Sequence, residues 1–174
     1  MKSAAEQLAF YEAYHKNPIN KLTHFVGIPL IMYAVLLAFS WIQVPVGEFT
    51  LTGGMVLAAV VLAYYALLDA TLALGMLVAV APLLYLAHVS ALLPWGPAAG
   101  LFLGAFILGW ILQLIGHSVF EKRRPAFTQN LFQLIIGPLF LVAEVYFLCG
   151  VKRELRGRIK ELESRLPPTG QIAG

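Results

Sequence analysis

The chain has 174 residues, of which 60% are hydrophobic and 12% charged. Ordinary globular proteins carry roughly 45–50% and about 25%, so composition excludes a soluble domain and points to an all-α integral membrane protein. The net charge of +3 is no nucleic-acid footprint. All twelve Lys and Arg fall in three clusters: Lys2, Lys16 and Lys21; Lys122 to Arg124; Lys152 to Arg165. Basic residues that flank long apolar runs report membrane orientation, whereas a nucleic-acid reader spreads them over a polar face. Membrane lipids are therefore the expected surroundings, and no nucleic-acid partner is expected. Cys149 is the sole cysteine, which excludes an intrachain disulfide.

The expected fold is a helical bundle of four to five membrane segments. It has an N-terminal amphipathic helix and a C-terminal charged helix, forming one domain over 1–166 with a disordered tail at 167–174. Residues 3–15 predict the amphipathic helix, opened by a capping box at Ser3 and Glu6. Asn17-Pro18 ends it and starts a second helix over 18–41, with Pro29 predicting a kink. No cleavable leader is expected, because the first apolar run follows about 22 mostly polar residues and suits a span.

Residues 44–50 read as a loop. The apolar stretch 51–93 is broken only by Asp69, which predicts a tight hairpin between spans at 51–68 and 71–93. Pro94 to Pro97 predicts the next turn, and 98–120 another span, followed by a basic loop at 121–130. Residues 131–149 form a fifth apolar segment interrupted by Gly137-Pro138. With a cytoplasmic N-terminus, a fifth full span would export the basic tail, so this segment is expected to re-enter, hinged at Gly137-Pro138, or to lie at the interface. Residues 151–166 predict a helix with the apolar stripe Leu155, Ile159, Leu162 and Leu166, and a Glu154–Arg158 pair.

Ionisable groups at membrane depth are costly and usually mark function. Gln113, His117 and Glu121 share one helical stripe where the fourth span meets the basic loop. Asn20 and His24 share a face of the second helix, and His15 closes the first. This topology brings His15, His24 and His117 to one membrane surface beside Glu121. Imidazoles meeting a carboxylate make a nitrogen/oxygen site suited to Fe, Zn or Cu. His88 lies toward the other end of its span, and an interfacial anchor is its simpler reading. Glu144 pairs with a basic residue, neutralises by protonation or serves the site. Lys122, Arg123 and Arg124 meet lipid headgroups or capture a substrate carboxylate. Tyr11, Tyr14 and Trp41 fit interfacial anchoring. No P-loop, GxSxG or HExxH motif is present.

Two blocks resemble the signatures of the small membrane 2-hydroxy fatty acid dioxygenases: "FYEAYHKNPINKLTHFVGIPL" (10–30) and "GWILQLIGHSVFEKRRPAFTQNLFQLIIGPLFLVAEVYF" (109–147). The matching positions are Tyr14, His15, Pro18, Asn20 and His24; then Gln113, Gly116, His117, Glu121, Lys122, Pro125 and Ala126; then Pro138 and Glu144. The resemblance implies Fe(II)- and O2-dependent shortening of a 2-hydroxy fatty acid by one carbon at the membrane interface. It implies that His15, His24 and His117 ligate Fe(II), with Glu121 as a ligand or its support. Asn20, Gln113 and Glu144 then have catalytic or supporting roles, and Tyr14, Arg123 and Arg124 bind substrate. His88 lies outside both blocks and is at most a weak further ligand. A bacterial chain would sit in the plasma membrane and a eukaryotic one in the endoplasmic reticulum. A competing reading is a membrane transporter or lipid-binding protein in which the histidines and Glu144 contact protons or substrate.

Overall fold

The computed structural model describes residues 2–166. The tail expected at 167–174 lies outside the described residues. Backbone contacts group the chain into two compact units: residues 1–25 with 112–174, and residues 26–111.

The first unit opens with α1 (Ala4–Glu12), which is capped as predicted. Ser3 N–H donates to Glu6 Oε2 at 2.7 Å and Glu6 N–H to Ser3 Oγ at 3.3 Å. The Ser3 backbone N–H foremost, and then the Ser3 hydroxyl donating to Glu6 Oε2 at 2.8 Å, hold the Glu6 carboxyl below its ordinary range. The helix is shorter than 3–15. Pro18 disfavours helical backbone at Asn17, and the chain leaves α1 through a turn in which Tyr14 N–H bonds Tyr11 O and His15 N–H bonds Glu12 O. His15 therefore sits in a connection rather than on a helix.

The unit also holds the start of α2 (Pro18–Ser40), the end of α5 (Trp95–Ile115), a π-helical turn at Gly116–Glu121 and a short 3-10 turn at Ala126–Thr128. It closes with α6 (Gln133–Leu148) and α7 (Arg153–Ser164). The chain does not turn back at Gly137-Pro138: α6 runs unbroken through both residues, so a re-entrant hairpin hinged there is corrected. Proline removes one intrahelical hydrogen bond, and tertiary packing compensates. Ile136, Leu139, Phe140 and Ala143 are buried with Leu8, Ala9 and Tyr11 of α1 in this unit's core. The predicted stripe of α7 faces inward, with Ile159 buried and Leu155, Leu162 and Leu166 half-buried. Among the described residues the pair across one turn of α7 is Glu161–Arg165 at 2.5 Å, in place of the predicted Glu154–Arg158.

In the second unit the expected loop at 44–50 is a β-hairpin. Strand β1 (Gln43–Val46) pairs antiparallel with β2 (Phe49–Thr52), Val46 opposite Phe49. Val44, Val46, Phe49 and Leu51 are good strand formers, and Gly47 at φ 61° supplies the left-handed turn. Helices α3 (Gly53–Leu68) and α4 (Ala70–Ala91) meet at Asp69 as predicted. Asp69 is extended, and its Oδ1 caps α4 by accepting from Thr71 N–H at 3.0 Å and Leu72 N–H at 3.1 Å. Helix α5 starts at Trp95, earlier than the turn predicted at 94–97, because proline is tolerated within a first helical turn.

Among the described residues three helical stretches are long and apolar enough to cross a membrane: Pro18–Ser40, Ala70–Ala91 and Trp95–Glu121. Helices α3 and α6 are apolar but have 16 residues each, about 24 Å against a hydrocarbon core of about 30 Å. Large side chains such as Val60, Leu67, Leu74 and Val78 are exposed in the second unit, as a lipid-facing surface requires. There α5 approaches α2 at Gly109. A Cβ on that residue would meet Ile31 Cγ1 at 2.7 Å and the Gly27 carbonyl at 2.9 Å. Gly109→Ala is expected to destabilise the protein by about 1–3 kcal/mol, measured by thermal unfolding in detergent.

Candidate metal centre

His15, His24 and His117 come together in the first unit, each at most 3% exposed. One nitrogen from each lies within 4.8 Å of the other two. The rings are close to mutually perpendicular, at 80°, 73° and 83°, with centroids 4.5 to 4.9 Å apart.

Each of the first two imidazoles is oriented by the backbone carbonyl four residues earlier. His15 Nδ1 lies 2.7 Å from Tyr11 O, and His24 Nδ1 lies 2.8 Å from Asn20 O. A carbonyl only accepts, so both protons reside on Nδ1 and both Nε2 atoms carry lone pairs. Those two Nε2 atoms are 3.0 Å apart. Burial first, then the neighbouring imidazoles of His24 and His117, hold the His15 pKa well below the ordinary histidine range, against the pull of the Tyr11 carbonyl. With each ring N–H turned to its own carbonyl, the two lone pairs face each other. A cation satisfies both. Two nitrogens 3.0 Å apart and each about 2.1 Å from one ion subtend roughly a right angle. His117 Nδ1 is also buried and without a hydrogen-bond partner. The donor set is three imidazoles, which suits Fe, Zn or Cu.

The surroundings are built from both sequence blocks. The Tyr11 ring stacks on His15, centroids 4.0 Å apart and 2° from parallel. Glu121 stands outside the imidazole cluster. Its carboxylate accepts from Lys16 N–H at 2.9 Å, Asn17 N–H at 2.9 Å and Asn20 Nδ2 at 3.0 Å. A negative charge at the N-terminus of α2 satisfies orphan N–H groups and complements the helix dipole. Glu121 thereby ties the π-helical turn that carries His117 to the turn that carries His15. Such π-helical turns are frequent at functional sites. Gly116 opens this one because a Cβ there would collide with Asn20 Oδ1 and Thr23 Oγ1.

The other sequence-predicted residues have distinct places. Asn20 is fully buried, and its Oδ1 lacks a partner. Gln113 is buried with an unpartnered Nε2. Tyr14 donates through its hydroxyl to Gln129 Oε1 at 2.5 Å. Burial raises the Tyr14 pKa, opposed by Arg123. Arg123 Nη1 donates to Ala13 O at 2.9 Å, and its backbone N–H donates to His117 O at 3.2 Å. Arg124 is exposed. Glu144 pairs with Lys21 at 3.2 Å, and Lys21 also reaches Glu12 at 3.0 Å. Burial raises the Glu12 pKa, opposed by Lys21. His88 lies on α4 in the second unit, half-buried, and is not part of the imidazole cluster.

Sequence reading passed over Lys21, Glu12, Gln129 and the support that Tyr11 gives His15. The Tyr11–His15 spacing of four repeats that of Asn20 and His24, and this was the available signal. Lys21 carried none, because its two carboxylates lie on other helices, Glu12 on α1 and Glu144 on α6, 123 residues away.

A helical protein with membrane-length apolar helices and a buried three-imidazole centre is the class that fold and site define. The profile of the family described as "2-hydroxy-palmitic acid dioxygenase Mpo1-like" matches residues 1–149, and the chain belongs to this family. It is similar to the 2-hydroxy-palmitic acid dioxygenase MPO1 of Saccharomyces cerevisiae, at 34% identity over 175 residues, covering 88% of this chain and 86% of that one. No solved structure matches the chain.

Two measurements probe the site. The unfolded state takes up a proton on His15 near pH 6.5, while the folded state does so only at lower pH. The stability of chelated protein is therefore full above about pH 6.5 and lost progressively as pH falls from there toward the folded value. Thermal unfolding across pH 5 to 8 checks this. Gly116→Ala is expected to cost about 1–3 kcal/mol by overpacking, read from the same melts.

Proposed function

We propose that the chain is a non-haem iron dioxygenase that shortens 2-hydroxy fatty acids by one carbon at the membrane interface. The opposed lone pairs of His15 and His24, 3.0 Å apart, carry this reading. Membership of the family and similarity to the yeast enzyme supply the substrate class.

His15, His24 and His117 would hold Fe(II). When bound, Fe(II) supplies O2-activating redox chemistry and a Lewis-acid seat for the 2-hydroxy carboxylate. The net reaction is a 2-hydroxy acid plus O2 giving the acid one carbon shorter, CO2 and H2O, a balance that needs no external reductant. The carbonyls of Tyr11 and Asn20 keep the Nε2 lone pairs directed at the ion, the role of outer partners at histidine sites. Glu121 holds the two histidine-bearing turns together rather than binding metal. Gln113 Nε2 is a buried donor and Asn20 Oδ1 a buried acceptor, both unpartnered. They match the carboxylate and the 2-hydroxyl of such a substrate. Arg124 steers the carboxylate from the surface, while Arg123 and Tyr14 hold the chain over the site. Lys21 fastens Glu144 of α6 to α2 and so has a supporting role. The apolar helices accommodate the acyl chain as part of an integral membrane protein. A transporter or lipid-binding reading would need Glu144 as a free proton or substrate contact, and its ion pair with Lys21 opposes that.

Iron analysis of purified protein is expected to give one Fe per chain. His15→Ala, His24→Ala and His117→Ala are each expected to lose iron and the O2-dependent conversion of 2-hydroxypalmitate to the C15 acid, while His88→Ala keeps both. Full iron occupancy in all three variants would overturn the assignment. Glu121→Gln is expected to weaken iron binding by roughly 10–100-fold, measured by chelator competition.

A further inference from the structure

The family match ends at residue 149, and the segment of the chain with the most Lys and Arg follows it. Residues 152–165 carry six cations against three carboxylates, a surplus equal to the net charge of the whole chain, +3. This segment turns at the end of α6 and forms α7. At the corner lies an open cavity of about 510 Å³, lined by Phe147, Leu148 and Val151 on one side and Arg153, Arg156 and Lys160 on the other.

Three cations elsewhere in the first unit are held by carboxylates. Lys16 pairs with Glu163, Lys21 with Glu12 and Glu144, and Arg165 with Glu161. Among the described residues no carboxylate pairs with Arg153, Arg156 or Lys160, and none lines the cavity. Arg153 is aimed by its own turn, Nε donating to Gly150 O at 3.1 Å. The Arg156 guanidinium lies over the Phe147 ring, 5.7 Å from its centroid. Two oriented guanidinium groups and an ammonium without internal counter-charge form a receptor for phosphate oxygens, which Arg binds bidentately. The apolar wall runs out onto open surface: Leu148 is 78% exposed and Val151 44%. A free anion leaves that surface in water, whereas an amphiphile covers it.

We propose that the α6–α7 corner is a binding site for an anionic phospholipid. Its phosphate lies among Arg153, Arg156 and Lys160, and its acyl chains lie along Leu148 and Val151. A zwitterionic choline headgroup brings a second cation to three uncompensated ones and is rejected. The site anchors the basic tail to one leaflet, as basic segments beside membrane helices do. It involves none of the imidazoles, so it stands or falls independently of the metal centre.

The full chain, purified in a neutral maltoside detergent, is titrated with dioleoyl phosphatidylglycerol, with dioleoyl phosphatidylcholine and with inorganic phosphate, while thermal unfolding is followed. Phosphatidylglycerol at a hundredfold over its dissociation constant is expected to raise Tm by roughly 5–10 °C, with no comparable shift from the other two. Arg156→Gln is expected to weaken the response about tenfold. Gly157→Leu tests shape without altering charge. No atom lies within 4 Å of a Cβ built at Gly157, which lines the cavity, so leucine fills it and blocks binding. Arg158→Gln removes an equal charge from an exposed position outside the cavity and is expected to respond as wild type. Equal shifts from phosphatidylcholine would overturn the proposal, as would a full effect from inorganic phosphate. So would equal loss in Arg158→Gln, which would mark diffuse attraction to the tail, or wild-type binding by both Arg156→Gln and Gly157→Leu.

Discussion

Two imidazole lone pairs facing each other across 3.0 Å in a dry interior are the constraint on which the site depends. Neither ring is free to turn away, because each spends its other nitrogen on a backbone carbonyl. Turning either ring would orphan a buried N–H, at about 1–3 kcal/mol. The arrangement is costly for the bare protein and favourable around a cation. Such a balance suits a binding centre better than a packed core.

Holding that arrangement is the work of the first unit. The three histidines come from a turn, an α-helix and a π-helical turn, and no single element carries more than one of them. Glu121 offsets this dispersal by closing on backbone N–H groups of Lys16 and Asn17 and on the Asn20 amide. Lys21 does similar work for α1 and α6 through Glu12 and Glu144. Their desolvation is tolerable because the lysine lies between two carboxylates and over the Phe140 ring at 5.3 Å.

Beyond residue 149 the chemistry changes from conserving a dry pocket to meeting a charged boundary. Helix α7 buries Ile159 against the rest of the first unit and leaves most of its cations exposed. The contrast between paired and unpaired cations separates two kinds of basic residue that composition treats alike. Lys16, Lys21 and Arg165 serve cohesion, whereas Arg153, Arg156 and Lys160 face outward together.

Sequence by itself determined the mainly helical class with membrane-length apolar helices, the break at Asp69, the capping box at Ser3 and Glu6, and the histidines worth watching. These follow from local rules: apolar run length, side-chain capping, and the cost of ionisable groups near hydrocarbon. It missed the β-hairpin at 43–52, whose alternation is short and whose faces are largely exposed. It also read a hinge at Gly137-Pro138, because local propensity does not report the packing that carries α6 through a proline. Only the tertiary structure decided that Glu121 closes on the backbone N–H groups of Lys16 and Asn17, that Lys21 bridges two carboxylates, and that among the described residues Glu154 and Arg158 do not pair. Each of these depends on which group reaches an atom first in three dimensions. A residue type and its spacing leave that competition open.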